Sequence, residues 1–178
     1  MSAPFSIRPA QLRDVPAITK IYSAAVLHGT ASFELDPPDE SEMTRRYQAL
    51  RSGGYPFLVV ELGASIAGYA YAGPFRSRPA YNWTVEDSIY VTPQSQRQGI
   101  GRALLATLID RSEASGYRQM IAIIGDCANA ASIELHRAAG FRMIGAFEHV
   151  GFKFGRWLDS VLMQRPLGTG ATTPPAQR

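Results

Sequence analysis

The stretch Ser88-Ile89-Tyr90-Val91-Thr92-Pro93-Gln94-Ser95-Gln96-Arg97-Gln98-Gly99-Ile100-Gly101-Arg102-Ala103-Leu104-Leu105-Ala106-Thr107-Leu108-Ile109 changes character half-way along. Up to Thr92 it continues a run from Trp83 that reads as a long buried strand. From Ala103 the apolar positions 104, 105, 108 and 109 follow the helical repeat. Glycines at 99 and 101 remove Cβ atoms where backbone must come close to a ligand. The N–H groups opening the helix have no intrahelical partners and sit at the positive end of its dipole, so a phosphate fits there. Arg97, Gln98, Ile100 and Arg102 complete this loop, and its two arginines add charged donors. Two familiar phosphate motifs do not match: the dinucleotide fingerprint needs glycine at 104, where leucine stands, and no Gly-Lys-Ser/Thr follows.

Outward from this point, strands and helices alternate. Residues 5–8 form a first strand closed by Pro9, and Asp14 is placed to cap a helix with apolar positions Val15, Ile18, Ile21, Tyr22, Ala25 and Val26. A loop follows from Thr30, then a helix over about 39–51, then strands at 57–61 and 66–72. Met120-Ile121-Ala122-Ile123-Ile124 is a continuous apolar run expected to be covered on both faces. Asn129 is placed to cap a short helix through Ala139, and two strands follow between 141 and 163. The fold class is mixed α/β or α+β, one layered domain over 1–167, with the Gly/Thr/Pro-rich segment 168–178 expected to be a flexible tail.

Composition narrows the function. With 178 residues the chain suits one domain, one that buries roughly 70% of its unfolded surface without a staple. A net charge of +3 is too small for the dense basic stripe of a nucleic-acid binder. No stretch approaches the ~20 apolar residues of a membrane helix, and Met1-Ser2-Ala3-Pro4-Phe5-Ser6 lacks the basic and apolar regions of a secretory signal. A lone cysteine, Cys127, forms no internal disulfide and fits a reducing, cytoplasmic setting. His28, His136 and His149 are too far apart for metal-ligand spacing, so no metal is expected.

Several motifs in order carry a resemblance over about residues 5–167. They are Gln96-x-x-Gly99-x-Gly101 after a strand, Thr84-Val85-Glu86-Asp87-Ser88-Ile89-Tyr90-Val91, and Asn129-Ala-Ala-Ser132-Ile-Glu-Leu-His136-Arg-Ala-Ala-Gly140-Phe141. Ala31-Ser32-Phe33-Glu34 and Gly151-Phe-Lys153-Phe-Gly155-Arg-Trp157-Leu-Asp159 complete the set. The chain resembles the GNAT acetyltransferase superfamily and, within it, the phosphinothricin and methionine sulfone/sulfoximine N-acetyltransferase branch. The resemblance implies a splayed, mostly antiparallel sheet of six or seven strands flanked by helices. It also implies acetyl-CoA as co-substrate, a small amino-acid-like amine as acceptor, and a homodimer.

Laid on this chain, the resemblance puts the pantetheine along a bulged strand at Ile89, Tyr90 and Val91, with Asn129 and Ser132 close by. The pyrophosphate falls on the loop Arg97, Gln98, Gly99, Ile100, Gly101 and Arg102. Glu86 matches the family's proposed base, and His136 stands where many relatives carry a tyrosine that protonates the leaving thiolate. Acceptor contacts fall at Phe75, Arg76, Ser77 and Arg78, around Val85, Glu86 and Asp87, and at Phe33 and Glu34 as walls. Asp87 departs from the serine or histidine of relatives, placing a second carboxylate beside Glu86 in sequence. Two other readings stand beside this one: an acetyltransferase for a protein N-terminus, polyamine or aminoglycoside, and a non-catalytic acyl-CoA sensor. A sensor needs only the loop, not Glu86 and His136.

Overall fold

The computed structural model describes residues 5–176. Its elements are β1 (Phe5–Pro9), α1 (Val15–His28), α2 (Glu40–Ser52), β2 (Phe57–Leu62), β3 (Ser65–Pro74), β4 (Thr84–Val91) and α3 (Ile100–Ala114). They continue with β5 (Gln119–Gly125), α4 (Ala130–Ala138), β6 (Arg142–Lys153) and β7 (Arg156–Pro166). The seven strands make one sheet in the order β1-β2-β3-β4-β5-β7-β6. Each neighbouring pair is antiparallel except β4 and β5, which run parallel.

That parallel ladder is short. It holds Thr84 to Asp87 against Gln119 to Ala122 and then stops. Beyond it, β4 keeps β3 on one side, while β5 keeps β7. The sheet therefore opens at its centre, and the second half of β4 presents an edge of backbone donors and acceptors with no strand beside it. The resemblance implied a bulge in this strand, but the β3–β4 register runs unbroken from Gly68↔Val91 to Pro74↔Val85. The gap opens because the β4–β5 ladder ends at Asp87 and Ala122, while β5 keeps β7 on its other edge along its whole length.

Alternation along the strands divides the core in two. One face packs on α3 and α4 through Val85, Leu104, Leu105, Leu108, Met120, Ala122 and Ile124. The other packs on α1 and α2 through Ile18, Val26, Met43, Phe57, Val59 and Tyr69. The run 120–124 is thus covered fully on one face only: Ile123, on the α1/α2 side, is 40% exposed.

Local chemistry explains most element ends. Asp39 caps α2 by accepting the Glu42 N–H at 2.8 Å. Asp14 precedes α1 but does not cap it. Its backbone is already helical (φ −86°, ψ −15°), and its carboxylate takes both Arg8 guanidinium nitrogens, at 2.7 and 2.9 Å, instead. A bidentate charged partner outcompetes a helix N–H. The segment beyond 167, expected to hang loose, is hydrogen-bonded through residue 176. Arg118 donates to the Gly170 carbonyl at 2.8 Å and the Thr173 carbonyl at 2.7 Å, and Trp83 donates to the Ala176 carbonyl at 3.0 Å.

The β3–β4 contact admits a direct check. A Cβ at Gly68 would lie 2.7 Å from the Tyr90 carbonyl oxygen and 3.2 Å from the Val91 Cα, both backbone. Gly68→Ala is expected to cost about 1–3 kcal/mol, lowering Tm by roughly 3–10 °C in thermal unfolding. Gly73→Ala, whose Cβ meets the mobile tip of Leu50 at 3.3 Å, is expected to cost less.

Candidate active site

The opening between β4 and β5 collects the residues singled out above. Its rim is the loop leading into α3. Gly99 stands at the N-cap with φ +82°, and Arg97 also adopts a left-handed conformation, φ +59°. Such alternation turns successive N–H groups toward one concave point, a cradle for an anion. A Cβ at Gly101 would meet only the Leu135 side chain, at an ordinary 3.6 Å. Packing within the protein does not demand glycine there, whereas close approach of a ligand does. Arg97 and Arg102 are exposed, and Arg102 borders a cleft of about 420 Å³ between α3 and α4. Ile100 is buried in the core, so it offers only backbone. Gln98 donates to the Gln94 carbonyl at 3.0 Å and so steadies the turn.

Along the open edge, Ile89 and Val91 pack toward α3, and Tyr90 faces the other way, edge-on to Tyr22 at 5.2 Å. Asn129 does cap α4: its Oδ1 accepts the Ser132 N–H at 3.3 Å, which places both residues at the α4 end nearest β5.

Glu86 lies half-buried on β4, level with Ile121 and across from Gly73. Burial first, and the charge of Asp87 second, push its carboxyl up to about 7. Burial raises the Tyr71 hydroxyl pKa, a hydrogen bond with Ser88 opposes it, and the charges of Glu86 and Glu34 add to the rise. Sequence reasoning passed over Tyr71 and Ile123. The parity and register of β3, β4 and β5 put both on the face of Glu86, a signal available only once the strand pairing is known.

Asp87 and Val85 are not acceptor walls beside Glu86. Successive strand residues alternate, so both point to the α3/α4 face, where Val85 is fully buried and Asp87 is 6% exposed. Asp87 Oδ2 instead lies 3.0 Å from His136 Nε2. His136 Nδ1 donates to the Ser132 carbonyl at 2.7 Å. The Ser132 carbonyl only accepts, so Nδ1 carries a proton, and the Asp87 carboxyl at Nε2 favours the imidazolium form. Burial opposes that charge, but the hydrogen bond and charge of Asp87 and the Ser132 carbonyl prevail, raising the His136 pKa. His136 is 3% exposed, with both nitrogens engaged. It ties α4 to β4 where the sheet divides.

Phe33 lies on the Glu86 face of the sheet, its ring against Gly125 of β5 and Gly151 of β6. Glu34 pairs with Arg46 at 2.6 Å and accepts from the Tyr22 hydroxyl at 3.0 Å. Phe75, Arg76, Ser77 and Arg78 leave β3 beside the Gly73–Glu86 pair. The Arg76 guanidinium stacks over Phe75 at 5.0 Å and Tyr81 at 5.5 Å, which holds it at this end of the sheet. Cys127 is exposed, and its thiol is pushed up by Asp159, opposite to what an activated nucleophile needs. Among the described residues no cluster of three His, Cys, Asp or Glu side chains is arranged to hold a metal ion, and no helix is long and apolar enough to cross a membrane.

This geometry coincides with known proteins. Residues 7–162 match the acetyltransferase (GNAT) domain model. The chain is 51% identical over 170 residues to phosphinothricin N-acetyltransferase of Alcaligenes faecalis, covering 96% of this chain and 86% of that one. It is 43% identical over 162 residues to the L-methionine sulfoximine/L-methionine sulfone acetyltransferase of Salmonella typhimurium, covering 91% and 94%. A GNAT superfamily phosphinothricin acetyltransferase from Sinorhizobium meliloti, solved in complex with acetyl-CoA, superposes with a TM-score of 0.94 at 47% identity, covering 97% of this chain and 94% of that one. Matched over most of its length by the family model and by relatives of 43–51% identity, the chain belongs to the GNAT acetyltransferase family.

Proposed function

We propose that this enzyme moves the acetyl group of acetyl-CoA to the primary amine of a small amino acid with a tetrahedral head, of the phosphinothricin, methionine sulfoximine or methionine sulfone type. The observation that carries the reading is Glu86, a carboxyl raised to about 7 at the place where the sheet divides. The names of the relatives support the acceptor class.

The open edge of β4 at Ile89, Tyr90 and Val91 fits an extended pantetheine arm by backbone pairing, and the cradle at 97–102 fits a pyrophosphate. Bound there, acetyl-CoA supplies an acyl carbon with a thiolate leaving group. The residues of the chain do the rest in one ternary complex. Glu86 takes a proton from the acceptor ammonium, since only the free amine has the lone pair that attacks. A base with pKa near 7 suits this better than an ordinary carboxylate. The N–C bond forms as the C–S bond breaks, the second amine proton passes to the departing sulfur so that CoA leaves as the thiol, and backbone N–H groups on the edge of β4 stabilise the developing oxygen charge. Arg76 or Arg78 receives the acceptor's carboxylate or phosphinyl group, with Phe33, Ile123 and Tyr71 as walls. His136 acts through position, holding α4 and its Asn129–Ser132 cap against the arm.

The setting assigned is cytoplasmic, in keeping with a lone reduced thiol, and the net charge of +3 favours a small-molecule acceptor over nucleic acid. A homodimer is also proposed. β6 is an edge strand whose residues 142–150 are all exposed, and Phe147, Val150, Phe152, Phe154 and Trp157 give the β6–β7 hairpin an apolar outer surface.

Glu86→Gln is expected to lower kcat by about 10²–10⁴ with acetyl-CoA affinity unchanged by calorimetry. Wild-type kcat/KM is expected to rise with pH through about 7, a limb the variant lacks. Equal turnover by the variant would rule out the base, and binding without turnover across amine classes would favour the sensor. The same substitution should stabilise the fold in alkali. A carboxyl whose folded pKa is raised from 4.5 to about 7 stabilises below the lower value and loses that contribution as pH rises through the upper one. Tm at pH 8 is therefore expected to be higher for Glu86→Gln than for wild type.

Asp87→Ala strips a buried imidazolium of its partner and is expected to cost about 3–5 kcal/mol in denaturant unfolding at pH 6. The His136 pKa is raised, so the contribution of the pair is full below the ordinary histidine value and fades as pH climbs through the raised one. The deficit should therefore shrink at pH 9, and a deficit independent of pH would exclude the charged pair. For the dimer, sedimentation equilibrium is expected to give twice the chain mass for wild type and the single mass for Phe152→Glu with Trp157→Glu. A monomeric wild type would remove the assignment.

A further inference from the structure

The tip of the β6–β7 hairpin has an inner side unlike its apolar outer one. Residues alternate there: Phe152 and Phe154 face out, whereas Gly151 and Lys153 face the segment joining α1 to α2. Lys153 is 4% exposed, and its Nζ donates to the Ser32 carbonyl at 2.8 Å. Its ammonium also lies 5.1 Å from the Phe154 ring centroid and feels the charge of Glu34. A lysine is seldom buried without a specific partner, and here the partner is a loop carbonyl.

Three further contacts fix the same loop. The Phe33 ring fills the space above two glycines: a Cβ on Gly125 would lie 2.9 Å from it and a Cβ on Gly151 2.5 Å. The Gly125 Cβ would also lie 2.2 Å from the Thr30 carbonyl oxygen. The Ser32 hydroxyl accepts the Glu34 N–H at 3.2 Å and meets the Tyr22 hydroxyl at 2.9 Å, and Tyr22 in turn donates to Glu34. None of these groups lies in the anion cradle at 97–102 or on the open edge of β4. Without Lys153 the Ser32 carbonyl loses its charged donor, and the chain on either side of it keeps only the Phe33 ring on Gly151 as its contact with the hairpin.

We propose that Lys153 is a positioning residue for acceptor selection: it pins the Ser32 carbonyl so that Phe33 and Glu34 stand as a fixed wall over the acceptor side of the divided sheet, while leaving acetyl-CoA binding untouched. The inference rests on the acceptor side assigned above, and it adds a residue that touches neither substrate. Burial pulls the Lys153 pKa down and the charge of Glu34 offsets part of that shift.

The test compares wild type with Lys153→Met, which keeps the length and loses the donor, and Lys153→Arg, which keeps charge and donor. Steady-state kinetics with L-methionine sulfoximine or phosphinothricin are run beside amide hydrogen exchange over residues 29–36. Lys153→Met is expected to raise acceptor KM about tenfold or more, with acetyl-CoA KM and calorimetric affinity within about twofold, and to speed exchange at 29–36 but not across α3. Lys153→Arg is expected to recover most of the acceptor KM, which a merely space-filling role would not allow. A rise shared equally by both substrates, or unchanged exchange at 29–36, overturns the proposal. Wild type inactive on every acceptor tried would overturn the functional reading instead. The exchange rates then decide the pin alone, equal rates in wild type and Lys153→Met overturning it and faster exchange confined to 29–36 upholding it.

Discussion

The end of one parallel ladder, at Asp87 and Ala122, organises everything else in this molecule. Had β4 and β5 stayed paired to their ends, the sheet would be closed and the backbone of residues 88–91 satisfied from both sides. Their separation leaves a row of peptide groups open in the middle of a domain, where an extended ligand can take the place of the missing strand. Such an edge is normally a liability, and this chain manages it by building the anion cradle at one end and a perturbed carboxyl at the other. Two helices close each face of the half-open sheet, α3 and α4 on one side and α1 and α2 on the other.

A second consequence is a division of labour between adjacent residues. Glu86 and Asp87 are neighbours in sequence, yet strand alternation sends them to opposite faces. On one face burial raises an acid toward neutrality; on the other a carboxylate is matched to an imidazolium and to a helix. The first arrangement stores reactivity and costs stability at alkaline pH. The second fixes α4 against the place where the strands part. The charge of Asp87 also contributes to the upward shift of Glu86, so the clamp tunes the carboxyl it stands behind.

Much of this was legible in the sequence. The strand-to-helix change at 88–109, with glycines at 99 and 101, marks both the fold and the anion cradle, because the cradle is local backbone chemistry. Asn129 as a cap and Asp39 as the start of α2 are local in the same sense. What escaped is non-local. The facing of Asp87 and Val85 depends on which side of β4 holds the core, and the exposure of Ile123 depends on where β5 leaves β4. Asp14 reads as a helix cap until Arg8, on β1, claims its carboxylate. His136 reads as a catalytic candidate, and only docking of its helix shows both nitrogens engaged. Spacing along the chain reports residues that share an element, whereas register and docking decide which of them share a cavity.

The hairpin that ends the sheet links these levels. Its outer side chains are apolar and open, and its inner ones, Gly151 and Lys153, hold the loop that covers the acceptor side. Alternation forces the two roles onto successive residues, so a partner packed on Phe152 and Phe154 would bear on the strand that carries Lys153. A loop of this kind, free of regular structure, would otherwise fray, since few backbone bonds hold it. The buried ammonium substitutes for those bonds with one charge-assisted contact to a carbonyl, and two missing Cβ atoms make room for an aromatic wedge. The placement of Phe33 and Glu34 is thereby built on the sheet, not on the loop, and its precision derives from the rigidity of β5 and β6 beneath it.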